Sequence, residues 1–390
     1  MKFLKILNLT CLILFCNLTF AQSDANKTHT INSKAFNKER YIKVFLPERY
    51  QNDTITKFAT VYVLDAQHDI FWNIAKGNIG YMVDNYSIIP MIVVGIDSDN
   101  RGSEFNPENT ELHEHFKNEV MPFIESNYRV DGFNILVGHS WAGAFVGNTI
   151  FSDQRDLFDA YIGISPSFGG TDNVIEKNAK KMLEDQTHFG KYLYFSYGTV
   201  GRREMEFGGF VKSIDTMVQQ HPNKTLAWQP QLIEGVGHWQ IVGPTFSDGL
   251  ISMSRNYFAD QKVIEDFAKS SSQDLKTQIQ SFNNEKKQTF GYIHEASPNY
   301  LNFVANDFRE LEDYKHALEL YQYAFEKDPE NIKVLVNICD VYDKMGDKVL
   351  AKPAFEKAIA LLDDQQMNVS KSYYRDVKKW LMETLEKYKY

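Results

Sequence analysis

The sequence predicts a mostly parallel α/β sheet covered by helices on both faces, followed by a small all-helical domain. Three observations carry this. Between about residues 40 and 260, short β-rich runs alternate with helix-length stretches. Runs such as Met91–Ile96 are apolar throughout, the pattern of strands buried on both faces. After Phe258 such runs stop, and from Pro298 onward an internal repeat begins.

The expected strands are Tyr41–Leu46, Ala59–Leu64, Met91–Ile96, Asn134–Val137, Ala160–Ile164, Tyr192–Tyr197 and Gln229–Ile233. The helix-length stretches between them are Glu111–Asn127, Trp141–Phe151, Val174–Gln186, Phe207–Gln220 and Phe246–Phe258. Residues 22–260 therefore read as one α/β domain, 261–296 as a polar helical linker, and 297–390 as helical repeats. Counting Ser297 as zero, Ala317, Tyr321 and Ala324 stand at positions 20, 24 and 27, and a shift of 34 residues puts Ala351, Phe355 and Ala358 at the same positions. That is a tetratricopeptide-like pattern, in which small residues let paired antiparallel helices approach closely. Two such units bury little core, so they are expected to pack on the α/β domain or on a second subunit.

Residues 1–21 read as a signal peptide. Lys2 and Lys5 precede the apolar run Leu9–Phe15, and Thr19 and Ala21 stand at −3 and −1 of a small-residue cleavage site. The run is too short for a membrane span, and bulky Phe15 before Cys16 disfavours a lipoprotein. The expectation is export, to the periplasm or outside the cell. Cys339 then remains as the single cysteine of the mature chain, in an apolar helical stretch that suits a buried inert thiol. With 42 Lys and Arg against 51 Asp and Glu, a net charge of −9, no basic footprint for nucleic acid exists.

The chemistry centres on Asn134–Gly143. An apolar strand runs into Gly138-His139-Ser140, and a helix rich in small residues starts at once. This is the pattern of a nucleophile elbow, although Ala142 stands where the second glycine is usual and Gly143 follows one place later. Ser140 needs a base, and in this chain order the base comes last. His238 qualifies, on a glycine-flanked loop after the last expected strand. The acid should follow the strand Tyr192–Tyr197, but the usual place holds Val200, which cannot orient an imidazole. Glu204 is the candidate, with Glu206 as the alternative and Asp215 behind both. The oxyanion donors are expected from the amide of Trp141 and from Ala66 or Gln67. His68, Arg101 and Trp239 are candidate substrate contacts, and Phe71, Trp72 and Trp141 could stack an aromatic group. His113 and His115 lie two apart on an expected helix and face different sides, so no metal site and no cofactor is expected.

Together, Arg40–Pro47, Val61–Asp65, Val94–Asp97 with Arg101, Gly138–Ser140, Ile164–Ser167 and Gly237-His238 resemble the Putative esterase (esterase D-like) branch of the α/β-hydrolases. That branch includes enterobactin-type siderophore esterases, feruloyl and acetyl-xylan esterases, S-formylglutathione hydrolases and mycolyltransferases. The resemblance covers about residues 30 to 260 and implies carboxylic-ester cleavage through an acyl-serine, on a siderophore-type or carbohydrate-linked small-molecule ester. The family sometimes carries a tetratricopeptide tail, which here suggests a protein partner or self-association through the C-terminal helices. The alternative expectation is a catalytically weak hydrolase scaffold serving as an interaction module.

Overall fold

The computed structural model describes residues 25–169, 173–185, 187–270 and 272–388. The signal-peptide reading of residues 1–21 lies outside them. Eight strands form one sheet: β1 (Asn26–Ser33), β2 (Lys38–Phe45), β3 (Phe58–Leu64), β4 (Met91–Ile96), β5 (Val130–His139), β6 (Ala160–Ile164), β7 (Lys191–Gly198) and β8 (Leu226–Ile233). Their order is β1-β2-β4-β3-β5-β6-β7-β8. The pairs β1–β2 and β2–β4 are antiparallel, and the remaining pairs are parallel. Strands β3, β4 and β6 are buried along their whole length, as continuous apolar runs require.

Helices cover both faces because successive strand residues point to opposite sides. On β6, Ile162 faces Gly249 of the helix Val242–Tyr257, whereas a Cβ on Gly163 would point at Gly143 of the helix Trp141–Ile150. The helix Asp69–Asp84 packs beside Val242–Tyr257. Two elements lack a strong sequence signal. Strand β1 is a polar edge strand with no apolar alternation, and Asp69–Asp84 contains Gly77 and Gly80, poor helix formers. A Cβ on Gly80 would come within 3.0 Å of the Phe45 ring, so this helix approaches the sheet closely. The expected helix Glu111–Asn127 is broken by a π-helical turn at Phe116–Val120.

Beyond Phe258 the chain is helical. After Gln261–Ser270 and Leu275–Phe290 come two hairpins, Pro298–Glu310 with Tyr314–Lys327 and Ile332–Met345 with Lys348–Asp364, then Lys371–Glu386. Ala317, Tyr321, Ala324, Ala351, Phe355 and Ala358 are buried between them. Cys339 is buried too, and burial pushes its thiol up to about 12. The first hairpin and the segment before it dock on the α/β body through aromatic contacts. Phe258 meets Tyr300 at 4.6 Å, Phe133 stacks on Tyr292 at 4.1 Å, and Tyr86 stacks on Phe303 at 5.6 Å. The sheet domain thus covers apolar side chains of the first hairpin. No described helix is long and apolar enough to cross a membrane.

Candidate active site

Strand β5 is buried up to His139, and the chain then turns sharply at Ser140, with φ 60° and ψ −116°. A non-glycine residue in this region is strained, so the surroundings must hold it. They do. The Ser140 amide donates to the Ile164 carbonyl at 3.0 Å, and the Ser167 amide donates to the Ser140 carbonyl at 3.0 Å. A Cβ on Gly138 would lie 2.3 Å from the Ala142 carbonyl oxygen and 3.0 Å from the Ala142 methyl group. Glycine is thus required at 138, while alanine fits at 142.

His238 sits on the loop after β8 with its side chain largely buried. Its Nδ1 lies 2.8 Å from Glu204 Oε1 and 2.9 Å from Ser165 Oγ. The Ser165 hydroxyl donates to the same Glu204 oxygen at 2.5 Å, and the Gly198 amide donates to Glu204 Oε2 at 2.6 Å. Glu204 is fully buried. Burial pushes its carboxyl up, but the hydrogen bonds from His238, Ser165 and Gly198 outweigh it and hold the group below its ordinary range. An ionised carboxylate at Nδ1 fixes the proton there and leaves Nε2 as the basic nitrogen.

The loop itself is clamped. The Thr199 and Val200 amides both donate to the Val236 carbonyl, at 3.1 and 3.0 Å. Val200 thereby spends its backbone on the histidine loop, and the carboxylate that meets His238 comes one turn later, from Glu204 at the start of the helix Arg202–Gln220. The His238 ring is packed by His139, Trp239 and Phe207, with centroids at 4.4, 5.1 and 5.3 Å. His139 Nε2 donates to the His238 carbonyl at 2.9 Å. Burial, reinforced by the neighbouring His238, lowers the His139 pKa to about 3, so this donor is neutral. Ser165 and His139 were not among the expected site residues. Ser165 carries one signal, its place in Ile164–Ser167 at the carboxyl end of β6. The alternative acids stand elsewhere: Glu206 is exposed near Gly169, and Asp215 accepts from Trp228 Nε1 at 2.9 Å.

On the oxyanion side one expectation is corrected. The Ala66 amide donates to the Ile96 carbonyl at 3.1 Å, continuing the β3–β4 ladder, so it has no proton left for a substrate oxygen. Asp65, at φ 62°, turns the chain just before it. The Gln67 side chain is anchored at both ends, with Nε2 on Asp65 at 3.0 Å and Oε1 on the Ser98 amide at 2.9 Å. Among the described residues the Gln67 amide has no backbone acceptor. The Trp141 amide opens its helix and has no intrahelical acceptor either.

The expected substrate contacts line two cavities. One, of about 340 Å³, is bounded by His68, Ile70, Phe71, Ile74, Trp239 and Val242, with Asp65, Arg101 and His139. The other, of about 210 Å³, lies between Arg101–Pro107 and Trp141, Ala144 and Ser167. Arg101 is the shared wall. Its guanidinium pairs with both Asp65 oxygens, at 2.8 and 2.9 Å, and lies 5.6 Å from the Trp141 ring, so most of its charge is already answered. Trp72 is buried against Gly95 in the core and reaches neither cavity. Among the described residues no cluster of three His, Cys, Asp or Glu could hold a metal.

The sheet order, the strained Ser140 turn and the buried histidine–carboxylate pair define an α/β-hydrolase fold. Residues 33–189, within the α/β body, match the family model described as Putative esterase. The match includes Ser140 and stops before Glu204 and His238. Among solved structures, the chain is similar to an IroE-like serine hydrolase from Shewanella oneidensis, at 18% identity and TM-score 0.62 over 77% of this chain and 99% of that one. It is also similar to an uncharacterised protein from Capnocytophaga ochracea, at 14% identity and TM-score 0.62 over 86% and 93%. Both likenesses extend into the helical tail. The siderophore hydrolase EstA from Aspergillus nidulans matches at 18% identity and TM-score 0.52, over 60% of this chain and 95% of its own. At these identities the likeness is one of fold. No protein of curated function matches the sequence.

Proposed function

We propose that this chain is a serine ester hydrolase in which Ser140 is the nucleophile, His238 the general base and Glu204 the orienting acid. The single observation that carries this reading is the contact of Glu204 with His238 Nδ1, which leaves Nε2 as the basic nitrogen of a ring packed 4.4 Å from that of His139, the residue before Ser140. In the reaction, Ser140 Oγ attacks the ester carbonyl carbon while Nε2 takes the hydroxyl proton. The Trp141 and Gln67 amides receive the oxyanion. The imidazolium then protonates the departing alkoxide, and water hydrolyses the acyl-serine by the same relay. Siderophore-type and carbohydrate-linked acetyl or feruloyl esters are the substrate classes to assay. The lysines, apolar run and small residues of 1–21 support export to the periplasm or beyond, and the exposed Met345, Val349 and Leu350 of the second hairpin support a protein partner or self-association.

The test is hydrolysis of 4-nitrophenyl acetate by the wild type, by Ser140→Ala, by His238→Ala and by the double variant. Each single change should remove essentially all catalysed turnover, and the double should be no worse, because the two residues act as one unit. Additive losses, or turnover that survives Ser140→Ala, would reject the assignment.

A further inference from the structure

The two cavities have unequal relations to the catalytic residues, and that inequality bears on what the ester looks like. In acyl transfer the leaving oxygen must reach the protonated histidine, so the alcohol part of the ester lies on the histidine side. The 340 Å³ cavity is that side. His139 and Trp239, two of the three residues whose rings pack against His238, both line it. The 210 Å³ cavity instead adjoins the far side of the elbow, where Trp141 and Ala144 belong to the elbow helix and the Ser167 amide holds the Ser140 carbonyl.

Resting on the ester-hydrolase reading above, we propose that the larger cavity is the alcohol subsite and the smaller the acyl subsite. The enzyme is then selective for a short acyl group on a bulky alcohol with a flat apolar face. Three further observations support this. The floor of the larger cavity is apolar, built from Phe71, Ile74 and Val242. Its one strong cation, Arg101, is already matched by Asp65, so a bulky anion finds no free charge there. Finally, Ile70 and Trp239, which both line this cavity, are large apolar side chains left exposed. A cluster of this kind at a cavity mouth marks a contact surface for an apolar group. In the balanced reaction the Ser140 Oγ–acyl bond forms as the acyl–alkoxy bond breaks. The Ser140 proton leaves on the alcohol through His238, and water then releases the short acid.

The experiment uses the full mature chain and two ester series. Acetates of ethanol and of 2-naphthylmethanol vary the alcohol at similar leaving-group acidity. The 4-nitrophenyl acetate, butyrate and octanoate series varies the acyl chain. The expected result is a kcat/KM at least about tenfold higher for 2-naphthylmethyl than for ethyl acetate, and a fall along the acyl series, magnitudes that apolar pockets commonly deliver. Trp239→Ala and Ile74→Phe should each lower the naphthylmethyl-to-ethyl ratio, whereas Ala144→Leu should lower the butyrate-to-acetate ratio. Trp239 is exposed, so Trp239→Ala remains a test even where the core-facing variants fold poorly. Preference for long acyl chains, or an Ala144→Leu variant that loses the bulky alcohol instead, would overturn the subsite assignment while leaving the esterase reading in place. Wild-type protein that cleaves none of these esters more than Ser140→Ala does would overturn the esterase reading itself.

Discussion

The helices of the C-terminal tail and four at the carboxyl edge of the sheet begin in opposite ways, while the short Arg101–Glu104 at that edge is capped by Asn100. In the tail, Ser297, Asp313, Asn331, Asp347 and Ser370 each accept a hydrogen bond from a first-turn amide. At the sheet edge, the helices starting at Asp69, Trp141, Arg202 and Val242 follow His68, Ser140, Gly201 and Ile241, none of which gives a side-chain cap. A capped end is stabilised, typically by about 1 kcal/mol, but its amide protons are occupied. An uncapped end keeps them for a ligand. The tail is thus built for stability, and the sheet edge leaves donors open where the proposed chemistry needs them.

The comparison can be tested at both ends, beginning with the acid. Glu204→Gln should lower kcat by about four orders of magnitude, because an amide favours the wrong imidazole tautomer and cannot stabilise the imidazolium. Glu206→Gln, at an exposed position, should change it little. Steady-state kinetics on one ester decides this, and equal effects would break the assignment.

Acid should destabilise the α/β body. Burial lowers the pKa of His113 to about 4 and of His139 to about 3, from an ordinary value near 6.5. Between those values the unfolded chain binds protons that the folded chain refuses, so stability falls as pH drops below 6.5. Each histidine should contribute about 1.4 kcal/mol per pH unit in that window. Denaturant unfolding at pH 7 and 5 measures the slope, and His113→Gln should reduce it. A slope unaffected by that change would contradict the account.

Ser165→Ala removes a hydroxyl that bridges the acid and the base. A hydrogen bond to a charged group is worth about 1.5–3 kcal/mol, so kcat should fall about 10- to 100-fold. With one donor fewer, the Glu204 carboxylate is less stabilised, and the acid limb of the pH–rate profile should move to higher pH. A purely structural role would lower kcat without moving that limb.

The smallest effects sharpen the contrast in caps. Asn331→Ala and Asp347→Ala should each cost about 1 kcal/mol of stability and leave kcat unchanged. Ser140→Gly should do the reverse, relieving positive-φ strain by about 1 kcal/mol while removing turnover. Chemical denaturation paired with an ester assay separates the two.

What the sequence made legible follows from the range of each signal. The elbow is readable because a buried strand, a forced glycine and a small-residue helix all lie within ten positions. The tail is readable because its period is local and its caps are Ser, Asp and Asn. Glu204 could be named as the acid candidate because a first-turn carboxylate follows β7 closely. Ser165 could not, since its partner His238 is 73 positions away and only the parallel β6–β7–β8 order brings them together. Ala66 was offered as a donor because the loop position alone suggests it. The extra ladder bond to Ile96 belongs to the three-dimensional register and leaves no trace in the sequence.

The most direct measurement is covalent. A fluorophosphonate probe reacts with a serine only when a base has activated its hydroxyl, and peptide mass spectrometry locates the adduct. One adduct is expected, on Ser140, formed far more slowly in His238→Ala and in Glu204→Gln. An adduct on another serine, or a Ser140 adduct whose rate ignores both substitutions, would contradict it.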